Sequence, residues 1–71
     1  MTDFDMLLSK IKDSGMTIVA ISEKAGIERA TFYNRLKGVG EFSASEIVAL
    51  SEVLHLTKPD RDKIFLSGKV N

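Results

Sequence analysis

Phe4, Leu7, Leu8 and Ile11 fall at i, i+3, i+4 and i+7. That spacing puts apolar side chains on one stripe of a helix. Thr2 or Asp3 can cap the stripe and Ser14-Gly15 ends it, so a first helix is predicted over about 3–14. Thr17 holds an N-cap position ahead of Ile18, Ile21 and Ala25, and Gly26 closes a second, short helix over about 17–25. Ile27, Phe32 and Leu36 mark a third over about 28–37, with Gly38 as its C-cap. After "GVGE", Ser43 and Glu46 match a capping box, and Phe42 stands where a staple residue would. Ile47, Leu50 and Leu54 then give a fourth helix over about 44–55. Thr57 and Asp60 bracket the start of a fifth, with Pro59 in its first turn, where a missing N–H does no harm. Ile64, Phe65 and Leu66 are expected to return to the core, and "SGKVN", about 67–71, reads as a flexible tail. No segment alternates with a period of two. The pattern predicts an all-α single domain over 1–71, built from five short helices.

Length tightens this picture. A chain of 71 residues buries only roughly 60% of its unfolded surface, so it needs good packing or a partner. There is no cysteine, hence no disulfide framework and no thiolate metal site, and a cytoplasmic setting is the expectation. The N-terminus opens acidic, without a signal-peptide layout. The longest apolar run, "IVAI", falls far short of the ~20 residues of a membrane span. One histidine and no cysteine supply neither a nucleophile–base pair nor a metal-ligand set. No enzymatic activity, metal, cofactor or small-molecule ligand is therefore expected. His55 sits near the end of the fourth helix, where an imidazole suits the helix dipole. Asp60 and Asp62 flank Arg61 as cap and dipole residues, and "GVG" lacks both the Walker pattern and a preceding strand.

Charge changes the picture more. Ten basic and ten acidic side chains give a net charge of zero. Dedicated DNA binders are usually basic, because neutralising phosphates releases counterions. The distribution is uneven. Residues 26–38 hold Arg29, Arg35 and Lys37 against Glu28, a net +2, whereas 39–57 hold Glu41, Glu46 and Glu52 with no Lys or Arg, a net −3. Residues 58–71 return to +2.

The second and third helices meet at "AGI". A helix-turn-helix needs a tight turn between two steeply crossing helices. Glycine tolerates the left-handed backbone such a turn requires. A small residue before it and a buried apolar one after it fit Ala25 and Ile27. Ile21 and Phe32 are the expected core contacts of the pair. Ser22 stands where alanine is commonest, yet it is small enough for the close crossing.

With these residues in place, "GIERATFYNRLKG" resembles the turn and recognition helix of the small phage Cro/CI-type (XRE-like) repressors. "EFSASEIVALSEVLHL" and the later "IFL" resemble the segments that follow in a Cro-like subgroup from temperate phages of Gram-positive hosts. The likeness covers roughly 15–70 and implies a compact five-helix, lambda-repressor-like domain. It also implies a regulator of a lysis–lysogeny switch that binds operator DNA and opposes or modulates the phage repressor. In that family the third helix lies in the major groove. Carried over, the base-reading positions are Arg29, Ala30, Tyr33 and Asn34. Arg29 is suited to guanine O6/N7, Asn34 to adenine N6/N7 and Ala30 to a thymine methyl. Thr17, Thr31, Lys37 and the backbone near Gly38 to Ser43 would hold phosphates. A homodimer would supply two half-sites.

Three departures open a second reading. Ile18 occupies a position where the family often has a phosphate-binding glutamine; Glu28 opens the third helix; Glu41 adds a negative charge to the loop. A helix-turn-helix surface of reduced positive charge suits an antirepressor that binds the CI-type repressor protein itself. Glu28, Tyr33, Glu41 and Glu46 would then form the partner interface, facing the repressor's basic surface. Arg35 reads as a surface or intramolecular salt-bridge residue rather than a reader.

Overall fold

A computed structural model describes residues 2–66. Among these residues there are five helices and no strand: α1 (Phe4–Ser14), α2 (Ile18–Ala25), α3 (Arg29–Leu36), α4 (Ala44–Val53) and α5 (Lys58–Phe65). None is long and apolar enough to cross a membrane. The predicted tail over 67–71 lies outside the described residues.

Local chemistry explains most boundaries. Asp3, Thr17, Ser43 and Thr57 each turn a side-chain oxygen onto a backbone N–H of the first helical turn that follows. In α4 and α5 the bond is reciprocated, since Glu46 and Asp60 accept from the cap residue's own N–H. These pairings satisfy donors that a helix start otherwise leaves orphaned. Three helices end on a common pattern in which two N–H groups turn back onto the last carbonyls. After α2 the bonds are Gly26 N to Glu23 O (3.3 Å) and Ile27 N to Ser22 O (2.9 Å). After α3 they are Gly38 N to Arg35 O (3.0 Å) and Val39 N to Asn34 O (2.9 Å). After α4 they are His55 N to Glu52 O (3.3 Å) and Leu56 N to Ser51 O (2.8 Å). The end of α1 keeps the first of these bonds, Gly15 N to Lys12 O (3.2 Å), and replaces the second with a relay. Met16 N donates to Ser14 Oγ at 3.1 Å, and that hydroxyl donates to Ile11 O at 2.6 Å.

The ends of α3 and α4 differ from expectation. Lys37 caps α3, and Gly38 takes its left-handed conformation (φ 88°) one residue later. Helix α4 stops at Val53, two residues short of 55, because the chain turns left-handed at His55 (φ 55°) with no glycine to announce it.

The core is one cluster to which every helix contributes: Leu7 and Ile11, Ile21, Phe32, Leu50, and Ile64 with Phe65, joined by Ile27 and Leu54 from the connections. Helix α2 packs on α4 and α3, while α5 rests against α1 and α4. Ser22 is buried inside this packing, with its hydroxyl donated to Val19 O at 2.8 Å. Phe42 lies between two core rings, edge-on to Phe65 (5.4 Å between centroids) and to Phe32 (6.3 Å). Such pairs add ~0.5–1.5 kcal/mol each beyond area burial. The first and last helices are tied by Asp3 N donating to Ile64 O at 2.6 Å and by a Lys10–Asp60 ion pair at 3.4 Å. The Asp60 carboxyl is held below its usual range, first by the backbone N–H of Thr57. Two residues expected inside are not: Leu8 and Leu66 are exposed. Leu8 marks the edge of the α1 stripe, and Leu66 follows the last turn of α5.

Candidate functional site

The turn between α2 and α3 sets the candidate surface. Gly26 adopts φ 71°, in the left-handed region that favours glycine. The bond from Ile27 N to Ser22 O returns the chain so that Ile27 joins Ile21 in the core. Glu28 follows with extended backbone and opens α3 without a side-chain bond to any helical N–H. Its Oε1 instead accepts from Thr31 Oγ1 at 3.3 Å.

Within α3 the inward side is Phe32, fully buried, with Leu36 half-buried against the core. The outward side carries Arg29, Ala30, Tyr33, Asn34 and, at the cap, Lys37, all exposed or partly so. At 3.6 residues per turn these five positions share an arc of roughly 140°. The structure therefore brings all four candidate base-reading residues and one candidate phosphate residue onto one face. No ion pair among the described residues involves Arg29 or Lys37. Tyr33, at 40% exposure, is the large side chain at the middle of that face.

The other candidates are placed less uniformly. Thr17 is exposed at the start of α2; its Oγ1 accepts from Ala20 N at 3.0 Å, which leaves the hydroxyl proton for an outside acceptor. Thr31 is half-buried and gives its proton to Glu28, so a phosphate oxygen would have to compete for it. Glu28 and Glu41 are exposed. Glu46 is half-buried and doubly engaged, capping α4 through Ser43 N (2.9 Å) and lying 3.5 Å from Arg35 Nε. Its carboxylate has less to offer a partner than its place in the sequence suggests.

A small cleft lies between the α2–α3 turn and the start of α4, lined by Gly26, Glu28, Thr31, Ser45 and Glu46. A larger groove runs beside the α3–α4 loop and is lined by Phe4, Arg35, Gly40, Glu41, Phe42 and Ile47. Sequence reasoning had no signal for the contact between Arg35 and Gly40, because it joins a helix to a loop through side-chain reach. No grouping of His, Asp and Glu among the described residues is arranged to hold a metal ion. Comparison with known proteins returned no match: no family model, no curated protein and no solved structure matches this chain.

Proposed function

We propose that this chain is a helix-turn-helix transcription regulator of the phage Cro/CI type, with a lambda-repressor-like arrangement of its five helices. In this reading α2 and α3 form the motif, and α3 enters the major groove of operator DNA. The protein then opposes or modulates the phage repressor in a lysis–lysogeny switch inside the bacterial host. The observation that carries the reading is the outward α3 face of Arg29, Ala30, Tyr33, Asn34 and Lys37, backed by a buried Phe32. It offers a planar guanidinium and a carboxamide, the side chains suited to guanine and adenine edges. Thr17 and Lys37 stand at the α2 start and the α3 end, where phosphates would pass on either side. A net charge of zero provides little non-specific affinity, so a dimer on two half-sites, or a partner, supplies the rest.

A second reading has its own observation. Glu28 is exposed at the start of α3 and Glu41 is exposed in the following loop, so the basic face has an acidic residue before it and another after it. That mixture, with Tyr33 between them, suits a protein surface better than a phosphate backbone. In this reading the chain is an antirepressor that docks on the basic DNA-binding surface of a CI-type repressor.

One titration separates the two: purified protein against a duplex of its own promoter region, with and without a CI-type repressor that binds the same region, at low and near-physiological salt. A specific shift by the protein alone that weakens steeply with salt supports the DNA reader. No shift alone, together with loss of the repressor's own shift, supports the antirepressor. Neither effect at either salt would overturn both.

A further inference from the structure

Arg35 sits in the last turn of α3, away from the exposed face, and its guanidinium touches three things. Its Nε is shut off from solvent and lies at ion-pair distance, 3.5 Å, from Glu46 Oε1, with neither that oxygen nor any other acceptor among the described residues aligned for a hydrogen bond. Its Nη1 donates to Val39 O at 3.4 Å. Its head also fills the space over Gly40, where a Cβ would stand 2.5 Å from Nη1 and 3.2 Å from Cζ. The partner oxygen is itself committed, since Glu46 Oε1 accepts the Ser43 N–H at 2.9 Å. One carboxylate oxygen thus joins the cap of α4 to α3, and one guanidinium joins both to the middle of the loop between them. Lysine, a single point charge, lacks the planar fork needed to serve both ends.

We propose that Arg35 is a positioning residue: with Glu46 it clamps the connection over 37–43, its guanidinium lying over Gly40. Gly40 itself has φ 74°, a backbone conformation that favours glycine. The clamp holds Val39, 57% exposed, and Glu41 in fixed places at the end of the α3 face. It fixes the loop amides as well, and this functional half rests on the DNA-binding reading, in which the loop backbone meets phosphates. Arg35 therefore acts on binding through the loop rather than by touching the nucleic acid.

The test uses the full chain in two measurements. The first is amide hydrogen exchange by NMR on Arg35→Met, which keeps the stem and removes the head, and on Glu46→Gln, which keeps the capping acceptor and removes the charge. The Val39 amide is expected to exchange about tenfold faster in either variant, with Ile11 and Leu50 amides within about twofold of the parent. The double variant should be no worse than either single one, as for two parts of one unit. Arg35→Lys should fail to restore the protection. Unchanged Val39 exchange in either single variant, or full restoration by Lys, overturns the clamp. Should Arg35→Met fail to fold, Glu46→Gln decides alone.

The second measurement is the salt dependence of binding to a fluorescent duplex of the promoter region. Arg35→Met is expected to weaken binding about three- to tenfold at an unchanged slope of log K against log salt, while Lys37→Ala lowers that slope by about 1. A slope lowered by about 1 in Arg35→Met makes Arg35 a direct phosphate contact and overturns the proposal. If the parent protein binds no duplex at all, the DNA reading fails while the exchange measurement still decides the clamp.

Discussion

Two glutamates open two neighbouring helices and play different parts. Glu46, three residues into α4 from its Ser43 cap, is half-buried, accepts the cap's N–H and pairs with Arg35. Glu28, at the cap of α3, is exposed, its side chain bonds no helical N–H, and among the described residues its carboxylate accepts from Thr31 Oγ1 alone, at 3.3 Å. Both benefit from a helix dipole. Only Glu46 is tied into the packing. A helix start whose side chains are all committed to the fold is there for stability. One whose cap is left open, beside an outward polar face, has side chains to offer something else. Each helix buries one residue fully, Leu50 in α4 and Phe32 in α3; α4 packs on both α2 and α5, while α3 packs on α2 and turns Arg29, Ala30, Tyr33 and Asn34 outward.

The contrast can be broken most sharply within α3 itself. Phe32→Ala should destabilise by ~3–5 kcal/mol, since it empties a fully buried site and removes one edge contact with Phe42. Tyr33→Ala, one residue on, should change stability by only ~0.5 kcal/mol or less while weakening binding to the target. Denaturant unfolding of the two variants side by side measures this; equal losses would mean that the α3 face is part of the packing. If α3 reads DNA, next in size is Arg29→Ala, expected to lose ~1–3 kcal/mol of discrimination between the specific duplex and a base-substituted one. Competition binding reads it, and an equal loss on all sequences would make Arg29 a phosphate contact instead.

The two helix starts come next. Ser43→Ala should cost about 1 kcal/mol of unfolding free energy through the lost cap of α4. Glu28→Gln should leave stability within ~0.5 kcal/mol, because no cap is lost. The same change should strengthen DNA binding if α3 reads DNA, and be neutral or harmful if α3 grips a basic protein. The smallest effect concerns pH and involves the start of α5. Asp60 has a lowered pKa in the fold, so its contribution is present above the ordinary aspartate value of 3.8 and is lost as pH falls through the lowered value. Asp60→Asn should flatten the acid limb of the stability curve in that window by removing the contribution Asp60 makes above it, so the neutral plateau falls slightly while stability below the window is nearly unchanged, as thermal melts across pH would show.

Much of this fold is legible in the order of residues. Thr17, Ser43 and Thr57 announce helix starts because a short side-chain oxygen bonds the N–H groups two or three residues on, which is a purely local event. Gly26 announces the turn for an equally local reason, its φ of 71°. The outward face of α3 follows from spacing, since Phe32 and Leu36 turn inward and 3.6 residues per turn fixes the rest. Leu8 and Leu66 show the limit. Both are apolar and adjoin buried neighbours, yet both are exposed, because burial depends on which helix arrives to cover them. His55 shows another limit: the chain turns left-handed there (φ 55°), between Leu54 and Leu56 that pack into or against the core, and no glycine marks the position.

The sequence by itself determined the number and type of the elements, most of their starts, and which residues of α3 share a face. Caps, turns and helical period act within four residues, so they can be read along the chain. Tertiary structure decided which side chains the fold uses up: that Arg35 and Glu46 meet across two helices, that a guanidinium lies over Gly40, and that Phe42 bridges Phe32 and Phe65. Those contacts join residues on different elements, and their distances exist only once the helices have packed. The cap that Glu46 shares with Ser43 is legible in the chain for the first reason, and its pairing with Arg35 is not, for the second.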